Sequence, residues 1–285
     1  MTTPTDPLPD RRPVALVTGA SRGIGKAAAV DLARSGFDVA VAARTLTDGS
    51  ARLGDGTDTV VPGGLDTTVA AVTAAGVEGL AVRLDLTDRT SVEACLDAVL
   101  ARFGQVDVLV NNGIYQGPGT LDRFLDLSEG DLAALLEGNL TAQLAIIRRL
   151  LPGMLDRGGG TIINLVSQSG FRDPPAKVGE GGWSLGYALT KAAFARVAPL
   201  LHVEHSGDGL RIFSVDPGLT VTERMEASGR AELYRQHFAA ATPEVIGRAI
   251  SWLATSAAAD ELRGRVVDAQ GEVARRRLLP GWPAA

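Results

Sequence analysis

Short, almost unbroken apolar runs alternate along this chain with longer stretches whose apolar residues recur every three or four positions. The runs at 14–18, 37–43, 79–84, 106–111, 161–166, 210–215 and 266–268 predict strands, because each is too short for a buried helix and most end in a polar or glycine residue. Between them, Ile24, Ala28 and Leu32 mark one helical face stopped by Gly36, and a helix over 66–75 is closed by Gly76. Val92, Leu96, Val99 and Phe103 mark a helix over 91–103 ending at Gly104, with Cys95 beside its apolar face as a core filler. A long helix is predicted over 128–151, with Ser128 and Asp131 in a capping arrangement and Pro152 near its end. Further helices are predicted over 187–205 and from Thr242-Pro243 to Ala254. Strands apolar on both faces, alternating with helices, predict an α/β fold with a doubly wound, Rossmann-like parallel sheet, covered on each side through right-handed crossovers. No shift in composition divides the chain, so one domain is expected over 13–275, between a flexible tail at 1–12 and a C-terminal tail at 276–285. Residues 44–65 are polar, glycine-rich and long for a connection, which predicts a functional or mobile loop.

Composition narrows the function classes. With 285 residues, 45% hydrophobic and 21% charged, the chain is a globular protein rather than a disordered one. A net charge of −5 offers no basic footprint for nucleic acid. The single cysteine excludes a disulfide framework and thiolate-rich zinc sites. No run of 18 apolar residues exists and the N-terminus lacks a signal-peptide pattern, so no membrane partner and a cytoplasmic location are expected. The 34 glycines are the compositional feature that leads to chemistry.

Gly19-Ala20-Ser21-Arg22-Gly23-Ile24-Gly25 follows the first strand and opens the first helix. Glycines there let backbone approach a pyrophosphate, which sits on the positive end of the helix. The same residues satisfy G-x-S-x-G, the nucleophile elbow of α/β-hydrolases, with Ser21 as nucleophile and only His202, His205 or His237 as its base. An elbow normally follows several strands of its sheet, and Ser21 follows the first. Tyr187 and Lys191 are four apart on one helical face, where a cation favours phenolate and lets the Tyr exchange a proton near neutral pH.

Taken with Asn111-Asn112-Gly113, Ser167 at a strand end and Pro217-Gly218, these motifs resemble, in order and over residues 13–271, the short-chain dehydrogenase/reductase family. Thr18–Gly25 is similar to the family's T-G-x-x-x-G-I-G. The resemblance implies a hydride transfer between a nicotinamide cofactor and a small carbonyl or secondary alcohol substrate. It makes Tyr187 the general acid in reduction, and Lys191 the group that lowers its pKa and bonds the nicotinamide ribose. Ser167 becomes a donor to the substrate oxygen, and Asn139 the residue holding a water of the proton relay. The cofactor set it implies comprises Gly19, Ser21, Arg22, Gly23, Ile24, Gly25, Arg44, Asp85, Leu86, Asn111, Gly113, Tyr187, Lys191, Pro217, Gly218, Thr220 and Thr222. Of these, Asp85-Leu86 would hold the adenine, and Pro217-Gly218 with Thr222 would cover the nicotinamide. A homo-oligomer, dimer or tetramer, is expected on the same ground.

The chain departs from the family at Ile114, where N-N-A-G has its last glycine, and at Thr220, where Val or Ile is usual. Ser167 and Tyr187 are also further apart than is usual. The excess is a Pro/Gly-rich insertion, Asp173–Trp183, expected to shape the substrate pocket with Trp183 as lining or lid. The second strand ends Ala43-Arg44, without the acid that NAD enzymes use on the ribose, and Arg22 lies in the turn. Two guanidinium groups suit a 2′-phosphate, so NADP(H) is expected over NAD(H). Two other readings are weighed: a catalytically silent NADP-binding sensor or scaffold, and the Ser21 hydrolase. His202-Val-Glu204-His205 falls one residue short of a zinc motif, so no metal is expected. Arg275–Arg277 reads as a subunit contact or solvated end.

Overall fold

The structure, a computed structural model, describes residues 11–54, 56–229, 231–232 and 240–283. Seven strands form one wholly parallel sheet: β1 (Val14–Thr18), β2 (Asp38–Ala43), β5 (Gly79–Arg83), β6 (Val108–Asn111), β7 (Gly160–Leu165), β8 (Leu210–Asp216) and β9 (Val266–Asp268). Their spatial order is β5-β2-β1-β6-β7-β8-β9. The order reverses between β1 and β6, which pair as Ala15 with Val108 and Val17 with Val110. At such a switch point the crossovers leave on opposite faces, and a crevice opens beyond the carboxyl ends of the strands.

Each face of the sheet is closed by its own core. On one side α1 (Gly23–Arg34), α9 (Pro243–Thr255) and α10 (Ala269–Arg276) bury Ala28, Leu32, Ile246, Ile250, Leu253 and Val273 against the sheet. On the other, α3 (Arg89–Phe103), α5 (Ala142–Asp156) and α6 (Leu185–Ala195) bury Leu96, Val99, Ile146, Leu150 and Phe194. Cys95 is 1% exposed in this second core, and burial pushes its thiol up to about 12, so it packs as an apolar filler.

Four differences from the sequence reading have local causes. The 44–65 stretch holds a small antiparallel hairpin, β3 (Ala51–Arg52) with β4 (Val60–Val61), and α2 (Leu65–Thr73) follows it directly. The helix expected over 128–151 starts on the Ser128 cap, whose hydroxyl accepts from the Asp131 N–H. It is interrupted by a π turn, Glu137–Thr141, between α4 (Glu129–Leu136) and α5. It then runs through Pro152, which forfeits one helical hydrogen bond near the C-terminal end, and stops at Asp156. The helix expected over 187–205 begins at Leu185 on a Ser184 cap and breaks at Arg196 into α6 and α7 (Val197–Glu204). The tail expected from 276 is packed over its described part: Leu278, Leu279 and Trp282 lie on the first core. The Trp282 indole donates to the Gln270 carbonyl. Residues 1–10 of the expected N-terminal tail, and 284–285, lie outside the described residues.

Helices α1 and α9 pack closely at Gly247 of α9, where an added Cβ would lie 2.8 Å from the carbonyl carbon of Ala27 in α1. Gly247→Val should therefore force the two helices apart and cost about 2–3 kcal/mol. A urea midpoint equal to the parent's would show that the contact does not constrain the fold.

Candidate active site

The glycine turn is bolted to the end of β6. The Thr18 hydroxyl, fully buried, accepts from the Asn112 and Gly113 N–H groups at 3.0 and 2.9 Å, and the Asn112 side chain donates to the Thr18 and Gly19 carbonyls. Gly19 and Gly23 take φ values of +67° and +55°, a conformation that L side chains rarely adopt. A Cβ at Gly19 would meet the Gly113 Cα at 2.6 Å, and one at Gly25 would collide with the Gly19 carbonyl oxygen. Only a chain without side chains at these points can pass so close to β6. The result is a cradle at the N-terminus of α1, whose first turn holds no acidic residue and whose Arg22 makes no side-chain bond that caps the helix. A dinucleotide pyrophosphate fits such a cradle.

Around the cradle lie the other expected cofactor residues. Ser21 is buried and Ile24 partly so. Arg22 donates from Nε to the Pro62 carbonyl and from Nη2 to the Gly63 carbonyl, both at 2.7 Å, so the hairpin segment is fastened to the turn. Burial lowers the Arg22 pKa. Arg44 is exposed where β2 ends. Asp85 accepts from the Thr87 N–H and hydroxyl, forming a tight turn, and Leu86 is buried beside it. Asn111 donates to Asn164 Oδ1 at 3.0 Å, joining the ends of β6 and β7. Thr220 is buried and donates to the Pro217 carbonyl. The segment Pro217–Leu219 is clamped from α10, where Gln270 Nε2 donates to both the Pro217 and Leu219 carbonyls.

The residues expected to do chemistry converge one strand further along. Ser167 follows β7 and caps the short 3₁₀ turn Gln168–Gly170; its Oγ accepts from the Ser169 N–H and hydroxyl. Tyr187 lies in the first turn of α6, with the Ser167 side chain near its phenol. Lys191, one turn on, is 4% exposed; its ammonium donates to the Leu165 carbonyl at 2.8 Å and stands 6.0 Å from the Tyr187 ring centre. The electrostatics differ from the sequence expectation. Burial pushes the Tyr187 phenol up, the nearby Ser167 side chain opposes this, and the carboxylate of Asp216 adds to the rise. Burial lowers Lys191 to about 8. The phenol is therefore in its acid form at neutral pH but is a weaker acid than a free one, so a nearby cation has to favour the phenolate before the proton can leave.

Asn139 falls inside the π turn and is 2% exposed. Its amide, expected to hold a water, is engaged at both ends by the main chain of Tyr115: Oδ1 accepts from the N–H at 2.7 Å and Nδ2 donates to the carbonyl at 3.3 Å. Asn139 thereby positions the chain that leaves β6, and Gln143, one turn on, does the same by donating to the Gly113 carbonyl. Neither Gln143 nor Gln270 lay within a motif the sequence offered. Asp216 had a signal, an acid directly before Pro217-Gly218. It is 6% exposed, accepts from the Gly218 N–H, and is pushed up by burial. The insertion 173–183 follows the Ser167 turn along the chain and is mostly exposed, with Trp183 half-buried at its end.

The hydrolase reading is not assembled. Ser21 is at the carboxyl edge of the sheet, whereas His202 and His205 lie in and just after the end of α7, shortly before β8 begins at the opposite edge. His205 pairs with Asp208, and His237 lies outside the described residues. Among the described residues there is no cluster of metal-ligating side chains and no helix long and apolar enough to cross a membrane.

Lys191 carries the site's clearest energetic signature. Its folded pKa lies below the ordinary 10.5, so a penalty for the buried charge is present below pH 8 and is relieved as pH rises from about 8 to 10.5. Lys191→Met should raise the melting temperature by a few degrees at pH 7 while turnover falls at least a hundredfold. A variant less stable than the parent at pH 7 would contradict that electrostatic account.

Comparison with known proteins agrees with this geometry. The family model for short chain dehydrogenases matches residues 13–233. A 3-oxoacyl-[acyl-carrier-protein] reductase from Synechocystis is 31% identical over 262 residues, covering 90% of this chain and 95% of that protein. A fluoren-9-ol dehydrogenase from Terrabacter is 33% identical, over 76% of this chain and 59% of its own length. Among solved structures, a short-chain dehydrogenase/reductase from Burkholderia xenovorans superposes with a TM-score of 0.73 at 31% identity, covering 92% of this chain and 97% of that one. A short chain dehydrogenase from Mycobacterium paratuberculosis bound to NAD gives a TM-score of 0.71 at 25% identity, over 90% and 95%. With its parallel sheet, glycine cradle and Ser-Tyr-Lys cluster, the chain belongs to the short-chain dehydrogenase/reductase family of oxidoreductases.

Proposed function

We propose that this protein is an NADP(H)-dependent oxidoreductase that interconverts a small carbonyl compound and the corresponding secondary alcohol, with Tyr187 as general acid/base. The observation that carries it is the convergence of Ser167, Tyr187 and the buried Lys191 ammonium, which stands 6.0 Å from the Tyr187 ring centre at the end of β7. Bound nicotinamide supplies or takes up the hydride. Ser167 donates a hydrogen bond to the substrate oxygen and stabilises the charge that grows there. Tyr187 passes its proton to that oxygen, and the ammonium of Lys191, near the ring face, steadies the phenolate that results. Relatives named as a 3-oxoacyl-[acyl-carrier-protein] reductase and a fluoren-9-ol dehydrogenase support a carbonyl or alcohol substrate.

The pyrophosphate would lie on Gly19–Gly25, with Ser21 and Ile24 in the turn. Asp85 and Leu86 would border the adenine, Asn111 and Gly113 the floor, and Pro217, Gly218, Thr220 and Thr222 the nicotinamide side. NADP(H) is favoured because β2 ends in Ala43-Arg44 with no carboxylate, and Arg22 is anchored nearby as a second cation. Insertion 173–183 shapes the substrate side, and the protein assembles as a homo-oligomer.

Tyr187→Phe should lower kcat by about a thousandfold while NADPH still binds, as followed by its fluorescence. Unchanged turnover in that variant would overturn the mechanism, and NADPH binding without turnover of any carbonyl by the parent would favour a catalytically silent binding protein. Separately, kcat/KM with NADPH should exceed that with NADH by at least about tenfold. Equal values would refute the NADP preference.

A further inference from the structure

Glu223 stands where an anion is already held. It opens the short helix α8 (Glu223–Ala227), and its Oε2 accepts from the Gly23 N–H at 2.9 Å, 200 positions away in sequence. Gly23 is the first residue of α1, so the carboxylate lies on the positive end of a twelve-residue helix that brings no acid of its own to that turn. The contact is built rather than incidental. A Cβ on Gly23 would touch the Thr222 methyl at 3.1 Å, so Gly23 and Thr222 pack directly. Arg224 Nη2 donates to the Leu53 carbonyl at 2.7 Å, tying α8 to the hairpin that Arg22 fastens to the same turn. Arg22, beside the carboxylate, spends Nε and Nη2 on the Pro62 and Gly63 carbonyls and so does not neutralise Glu223 through those donors.

A phosphate oxygen bound at a helix N-terminus takes the position that the Glu223 oxygen takes here, and two anions cannot share one N–H group. We propose that Glu223 is an affinity-determining residue: its carboxylate competes with the cofactor's pyrophosphate for the N-terminus of α1, so that binding requires the Glu223–Gly23 bond to break. The inference rests on the dinucleotide reading above and adds a cost to it. It also predicts the opposite sign from a residue that helps to hold the cofactor.

The test is equilibrium binding of NADPH, ADP and adenosine to the full chain, followed by NADPH fluorescence and calorimetry, for the parent, Glu223→Gln, Glu223→Ala and Glu226→Gln. Glu223→Gln keeps the size of the side chain and removes its charge, while Glu223→Ala removes the competitor altogether. NADPH and ADP should bind about fivefold tighter in both Glu223 variants, with adenosine, which lacks the pyrophosphate, unchanged. Glu226→Gln, with the same charge change three residues on, should stay within about twofold of the parent. Equal or weaker NADPH and ADP binding in the Glu223 variants overturns the proposal, and so does an equal gain in Glu226→Gln, which would report only net charge. Failure of NADPH and ADP to bind any of the four proteins overturns the dinucleotide reading itself, and this inference with it.

Discussion

The Thr18 hydroxyl, buried where β1 gives way to the glycine turn, holds the site together. By accepting from two successive N–H groups of the chain leaving β6, it sets the turn against the neighbouring strand at the one place where the sheet order reverses. Asn112 completes the joint from the other side by donating to the turn's carbonyls. A buried polar group left without a partner is costly, so this small network has one satisfactory arrangement, and the glycines follow from it. Gly19 and Gly25 are confined by backbone atoms, and the close passage they allow aims the first N–H groups of α1 into the crevice.

Further along the same edge, burial dominates the titration of the groups expected to react. Tyr187 and Asp216 are pushed up and Lys191 down, each with desolvation as the largest cause. The ion pair that a Tyr and Lys four apart suggest is replaced by a different division of labour. The ammonium bonds a main-chain carbonyl, the phenol lies near Ser167, and burial keeps the proton on the phenol. Support comes from distant parts of the chain. Asn139 and Gln143 hold the exit from β6, and Gln270 holds Pro217–Leu219, itself braced by Trp282 from a segment that looked like a loose end.

How much could be read in advance follows the range of the interactions involved. The seven strands and most helix starts were legible, because apolar runs, Ser128 and Gly104 act on their near neighbours. The 44–65 hairpin was not, since its strands are two residues each and are held by contacts from Arg22 and Arg224. Nor was the π turn, where the residues 137–141 read as ordinary helix formers apart from Gly138. The break of α6 from α7 at Arg196 does carry a mark, Pro199, which has no N–H for the Ala195 carbonyl and is tolerated in the first turn of a new helix.

The sequence by itself determined the fold class and the family, and it named the glycine turn, Ser167, Tyr187 and Lys191, because periodicity and short motifs are local and survive without coordinates. Tertiary structure alone decided what each polar atom is bonded to. It placed Glu223 on the Gly23 N–H, turned Asn139 toward the Tyr115 main chain, and buried Lys191 deeply enough to weaken its hold on its proton. Hydrogen bonds and desolvation depend on neighbours brought from tens to hundreds of positions away, and no pattern along a single chain encodes their distances.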